Sequence, residues 1–149
     1  MNNPNLNGWL KTSVLMFVLW SVMHLFVGIA GTQSYISSGA NGIMAFFGSA
    51  LVVKNQLGPV SELAGHVALD DAINILGYGV LGIMASLMMW RGQRIGLWLN
   101  IILLGICDFA FAITMLGHGD IAPIDGIWGP VLYVIGSVTG LLAFYRTPK

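Results

Sequence analysis

Charge is scarce in this chain. Only 8% of its 149 residues are Asp, Glu, Lys or Arg, while 56% are hydrophobic. Soluble domains carry about 25% charged residues, so an ordinary soluble domain is excluded. The formal net charge is zero, which removes the basic surface that nucleic-acid binding requires. Cysteine is nearly absent. The single Cys107 permits neither a disulfide framework nor a Cys-pair redox motif, and its place inside an apolar run suits a structural thiol. Metal-ligand spacings of the HxxH, HxxxH and ExxH kinds are missing too, with His66 and Asp70 the one local pair of ligand types. A bis-histidine haem would need His24 opposite His66, which differ in depth by about 10 Å or more. Neither a Gly-rich phosphate loop after a strand nor a GxSxG elbow occurs. No metal and no cofactor is expected.

Four long apolar runs are present instead, at about 10–31, 63–90, 95–116 and 127–145. Each reaches the roughly 20 residues that a helix needs to cross about 30 Å of hydrocarbon. Barrel strands need only about 10 alternating residues, so helices are preferred. The first run is too long for a signal-peptide core and lacks a small-residue cleavage site, so it is read as retained. Lys11, the Arg91 and Arg94 of the tight link RGQR, Arg146 and Lys149 fall on one side, and only Lys54 on the other. The positive-inside rule then places both termini in the cytoplasm, here of a bacterial inner membrane. Connections 32–62 and 117–126 face outward.

The first outer connection holds GIMAFFGSALVV, residues 42–53, which is too short to span and reads as an interfacial or re-entrant helix. It is either a cover over helix ends or a gate. Pro59 and Ser61 follow as breaker and N-cap. The expected fold is an all-α membrane protein, one domain over residues 1–149, with four transmembrane helices in an antiparallel bundle and this short helix in the first outer connection.

Polar residues interrupt the grease. The stretch HVALDDAINILGYG, residues 66–79, sets His66, Asp70, Asp71, Asn74 and Tyr78 within a helix face roughly 140° wide. Trp20 and His24 lie one turn apart on the first run. Asn100 and Asp108 lie two turns apart on similar faces of the third. A rise of about 1.5 Å per residue puts His24 about 18 Å, Asn74 about 18 Å and Asp108 about 20 Å above the inner edge. These three are therefore expected to share a level, with Asp70 and Asp71 one turn further out. A carboxylate at the centre of a spanning helix costs roughly 2.5–3.5 kcal/mol or more, so the three Asp are expected to face the bundle interior. They would partner one another, His24 or Asn74, with one carboxyl holding its proton. Beside this stands a plainer reading. His66 is interfacial, one of Asp70 and Asp71 hydrates a helix end, Asn100 is an interhelical hydrogen bond, and Trp9, Trp90, Trp98 and Trp128 form interfacial belts. His118 and Asp120 belong to a solvated loop.

The segment GYGVLGIMASLMMWRGQRIGLWLNIILLGICDFAFAI, residues 77–113, resembles the middle hairpin of DoxX-like small four-helix membrane proteins. In that family a Gly-rich second helix ends in a short Arg-containing turn before a third helix. The resemblance implies an association with quinone-linked redox chemistry, though no redox motif of that kind stands in this sequence. The Asp70–Asp71 pair and the long outer connection have no counterpart there. By looser analogy the layout is similar to the emopamil-binding-protein family, whose helices surround a lipophilic substrate and move protons with acidic, His and Trp residues.

Three functions follow as expectations. The first is acid–base catalysis (isomerisation, cyclisation or hydration) on a lipophilic small molecule held in the membrane. Asp108, His24, Asp70, Asp71 and Asn74 would be its catalytic groups, and Trp20, Tyr78, Asn100 and Tyr133 would contact the substrate. The second is an accessory or assembly subunit of a larger membrane complex. The third is a small proton-coupled carrier acting as a homodimer. The bilayer is a partner in all three.

Overall fold

The computed structural model describes residues 8–49 and 60–145. These residues are almost entirely helical, and no extended strand occurs among them. Helix α1 spans Gly8–Gly48, α2 Glu62–Trp90, α3 Arg94–Leu116, α4 Pro123–Gly126 and α5 Trp128–Tyr145. Four of them, all but α4, are long and apolar enough to cross a membrane. Their large apolar side chains point outward as often as inward. Phe26, Ile36, Val67, Ile106, Phe109 and Val134 are all exposed. Helices that are apolar all round suit a hydrocarbon surrounding.

Helix α1 is bent, not straight. Ser38 and Gly39 leave helical geometry, and Gly39 has φ 61° and ψ −150°, a region that is essentially open to glycine alone. Before this point α1 runs about 45 Å. After it the chain returns. Residues 31 and 47 of a straight helix would lie about 24 Å apart along the axis, yet Phe47 Cζ lies 3.3 Å from where a Gly31 side chain would begin. Gly42 likewise comes against the Ser34 carbonyl, and Ala40 against Gly65 of α2. Segment 40–48 is thus folded back over the end of α1 and the start of α2. The remainder of the expected short helix, 50–53, and the breaker Pro59 lie outside the described residues. Ser61 is the N-cap of α2, its hydroxyl accepting from the Ala64 N–H at 3.1 Å.

Small residues set the packing. A side chain at Gly28 would begin 2.7 Å from the Leu76 backbone nitrogen and 2.8 Å from the Ala72 carbonyl oxygen. One at Gly79 would begin 2.8 Å from the Ser21 carbonyl oxygen. The two backbones touch, which is how helices gain dispersion contact where lipid removes the hydrophobic drive. Helix α5 packs on α1 in the same manner, with Phe17 against Gly136 and the Ser13 hydroxyl donating to the Gly136 carbonyl at 2.6 Å. Helix α3 packs on α2 and α5, so α1 and α3 lie across the diagonal. Its packing on α2 is concentrated at the RGQR end, where Gly96 meets Ala85 and Met88, and Leu104 meets Gly82.

Helix α3 contains two π-helical turns, Asn100–Leu104 and Ala112–Leu116. The extra residue in the first rotates everything after it by about 100°. Tyr133 of α5 fills the space beside Gly105, and its hydroxyl donates to the Ile101 carbonyl at 2.9 Å.

Two substitutions separate these effects in thermal unfolding of the detergent-purified protein. Gly39→Ala meets no neighbour within 4 Å, so its loss, about 1–3 kcal/mol, measures the backbone conformation of the bend alone. Gly28→Val costs about 1–3 kcal/mol or more through overpacking. Gly77→Ala, with open space around it, leaves the midpoint unchanged or raises it.

Candidate functional site

Trp20 is the largest fully buried side chain of the described residues, at 0% exposure. The other four tryptophans, Trp9, Trp90, Trp98 and Trp128, are exposed, as interfacial belts require. A buried indole needs an acceptor for its N–H. Trp20 Nε1 donates to Asp108 Oδ2 at 2.8 Å, crossing the bundle diagonal from α1 to α3. Asp108 is itself buried, at 5% exposure.

His24 completes the group. Its ring stacks on Trp20, with centroids 3.4 Å apart and planes 15° apart. Its Nδ1 lies 2.8 Å from the Trp20 carbonyl oxygen. A carbonyl only accepts, so Nδ1 carries the hydrogen and Nε2 keeps a lone pair. Gly129, in the first turn of α5, closes the site. A side chain there would begin 3.2 Å from Asp108 Oδ1 and 3.8 Å from His24 Cε1. The oxygen of Asp108 that Trp20 does not bind and the His24 ring edge therefore both pack close to Gly129, where even a methyl group would be tight. A carboxyl and an imidazole held side by side can move a proton between neighbouring atoms of a molecule that reaches them.

The other expected site residues are placed differently. Asn74 does not join His24 and Asp108. It is exposed, and its amide donates to Asp70 Oδ2 at 3.2 Å on the same helix. Asp70 and Asp71 are exposed as well. The physical reason is that α2 meets α3 most closely near the RGQR end, while Asp71, further along, comes no nearer than electrostatic reach of Cys107 on α3. Asn100 and Asp108 are both buried on α3, but at different depths and with different partners, Asn100 toward α2 and Asp108 toward α1. Asn100 is fully buried and ties α3 to α2, its amide donating to Ser86 Oγ and Met89 Sδ, each at 3.3 Å. Tyr133 spends its hydroxyl on the Ile101 carbonyl, and Tyr78 packs against the core around Phe17 and Trp20. His66 is exposed beside Tyr35. Gly129 escaped the sequence reading, since a glycine at a helix start announces nothing about what faces it. Among the described residues no three His, Cys, Asp or Glu side chains gather to hold a metal ion.

Compared with protein-family models, with curated proteins and with solved structures, the chain matches none.

A double-mutant cycle of Trp20→Phe and Asp108→Ala, read by thermal unfolding in detergent, is expected to return a coupling of about 1–3 kcal/mol. Strict additivity would mean that the two side chains act separately. Asp108→Asn keeps an acceptor for the indole and should unfold close to the parent protein.

Proposed function

We propose that this chain is an integral membrane protein that performs acid–base chemistry on a lipophilic small molecule. In this reading the four long helices span a bacterial inner membrane as an antiparallel bundle. Both termini and the RGQR turn lie on the cytoplasmic side, by the positive-inside rule. Segment 40–48 then lies at the outer surface as an interfacial or re-entrant helix. The DoxX-like character of residues 77–113 belongs to the hairpin formed by α2 and α3.

One arrangement carries the reading. Asp108 is held at one oxygen by the Trp20 indole, while its other oxygen and the His24 ring edge come together at Gly129. A protonated Asp108 gives a proton to one atom of the substrate. His24 Nε2 takes a proton from a neighbouring atom. The sum is an isomerisation, which needs no cofactor and no second substrate, and cyclisation or hydration uses the same two transfers. Trp20 sets the carboxyl in place and stacks the imidazole.

A second reading is favoured by a different observation. Asp70, Asp71 and Asn74 are exposed on an apolar helix, where lipid solvates them poorly. An accessory subunit of a larger membrane complex would cover that face with polar groups from another chain.

Native mass spectrometry of the protein in mild detergent, followed by organic extraction, separates the two. A specific lipophilic molecule should copurify, and Asp108→Asn, His24→Ala and the space-filling Gly129→Ala should each lose most of it. A stable protein partner with no small molecule would overturn the catalytic reading and support the second.

A further inference from the structure

The charged side chains are sorted by end. Lys11, Arg91 and Arg94 stand where α1 begins, α2 stops and α3 starts. Leu10, Met89 and Leu97 share one buried cluster there, with Phe144 of α5 packed against it, so four helix ends meet at this place. Glu62, Asp120 and Asp125 belong to the opposite end, and Asp70, Asp71 and Asp108 lie along the helices between. Among the described residues the basic end therefore carries three exposed cations and no carboxylate side chain.

The cations are set among exposed aromatic rings. The Arg94 guanidinium lies over the Tyr145 ring, 5.2 Å from its centre. The Tyr145 hydroxyl accepts from Trp98 Nε1 at 3.2 Å, which holds the ring in position. A cation–π contact takes up no guanidinium hydrogen bond, so the N–H groups keep their capacity to bind an anion. They form a planar fork matched to two phosphate oxygens. Trp90 stands beside Arg91 at the same level, exposed. Indole and phenol rings settle at the depth of lipid headgroups, and unpaired Lys and Arg there attract anionic lipid.

We propose that this end of the bundle is a seat for the phosphate headgroup of an anionic phospholipid, gripped by Arg94 on its Tyr145 support and by Arg91 and Lys11. The seat rests on the membrane reading above but not on the acid–base reading, since Arg94 lies about 21 Å along α3 from Asp108.

The test offers the intact protein in detergent equal amounts of phosphatidylglycerol and phosphatidylcholine, and reads retained lipid by native mass spectrometry. The parent protein is expected to retain phosphatidylglycerol preferentially. The preference should fall by about fivefold for each charge removed, so Arg91→Gln with Arg94→Gln should nearly abolish it. Arg94→Lys keeps the charge, loses the planar fork and should fall between the two. Inorganic phosphate added in excess should leave the preference intact. An unchanged preference in the double variant would overturn the proposal, as would displacement by inorganic phosphate. Equal retention of both lipids would refute the seat alone, whereas retention of neither would refute the membrane reading with it. None of these outcomes bears on the lipophilic molecule at Asp108.

Discussion

The hydrogen bond between Trp20 and Asp108 constrains the rest of this molecule. It joins α1 to α3 across the diagonal of the bundle, between helices whose backbones are not close neighbours. A buried indole N–H and a buried carboxyl each carry a large desolvation penalty when left alone. The bond satisfies the indole N–H and one carboxyl oxygen, and it constrains the depth and rotation of α3. Gly129 follows from the same requirement, because any side chain there would press on the free oxygen of Asp108. His24 follows as well. Its ring lies flat on the indole, and its Nδ1 hydrogen is committed to the Trp20 carbonyl.

The π-helical turn at Asn100–Leu104 reconciles two demands on α3. Its first half must present Asn100 to Ser86 and Met89 of α2. Its second half must present Asp108 to α1 and α5. At about 100° per residue a regular α-helix would set residues eight apart about 80° from one another. Widening one turn takes back about one residue's rotation and keeps Leu97, Asn100, Leu104 and Asp108 all buried along α3. Tyr133 holds the widened turn, with its ring in the space at Gly105 and its hydroxyl on the Ile101 carbonyl. Local backbone geometry and the placement of the carboxyl are thus parts of one solution.

These features explain what the sequence made legible. The long helices could be read because an apolar run of bilayer length admits few other structures. The Ser61 cap could be read because its chemistry is local. Depth counted along the helices put His24 and Asp108 at one level, and both border Gly129. That counting failed for Asn74, because a helical wheel does not say where along their length two helices meet. The reversal at Ser38–Gly39 was equally hidden. Gly39 looks like any of the 20 glycines until its φ value sets it apart.

The polar stripe of α2 now divides into parts with different physics. Tyr78 has turned inward against the core, whereas Asp70, Asp71 and Asn74 remain on the outside. The Asn74 amide satisfies one oxygen of Asp70, but a hydrogen bond between neighbours on one helix leaves both groups facing outward. Trp20 and Asp108, by contrast, close on each other inside the bundle. A group that is closed and screened suits proton transfer, because its geometry is fixed before a substrate arrives. A group that is open suits contact with something outside the chain. One apolar protein thus holds two kinds of polar residue, one closed within the bundle and one on its surface.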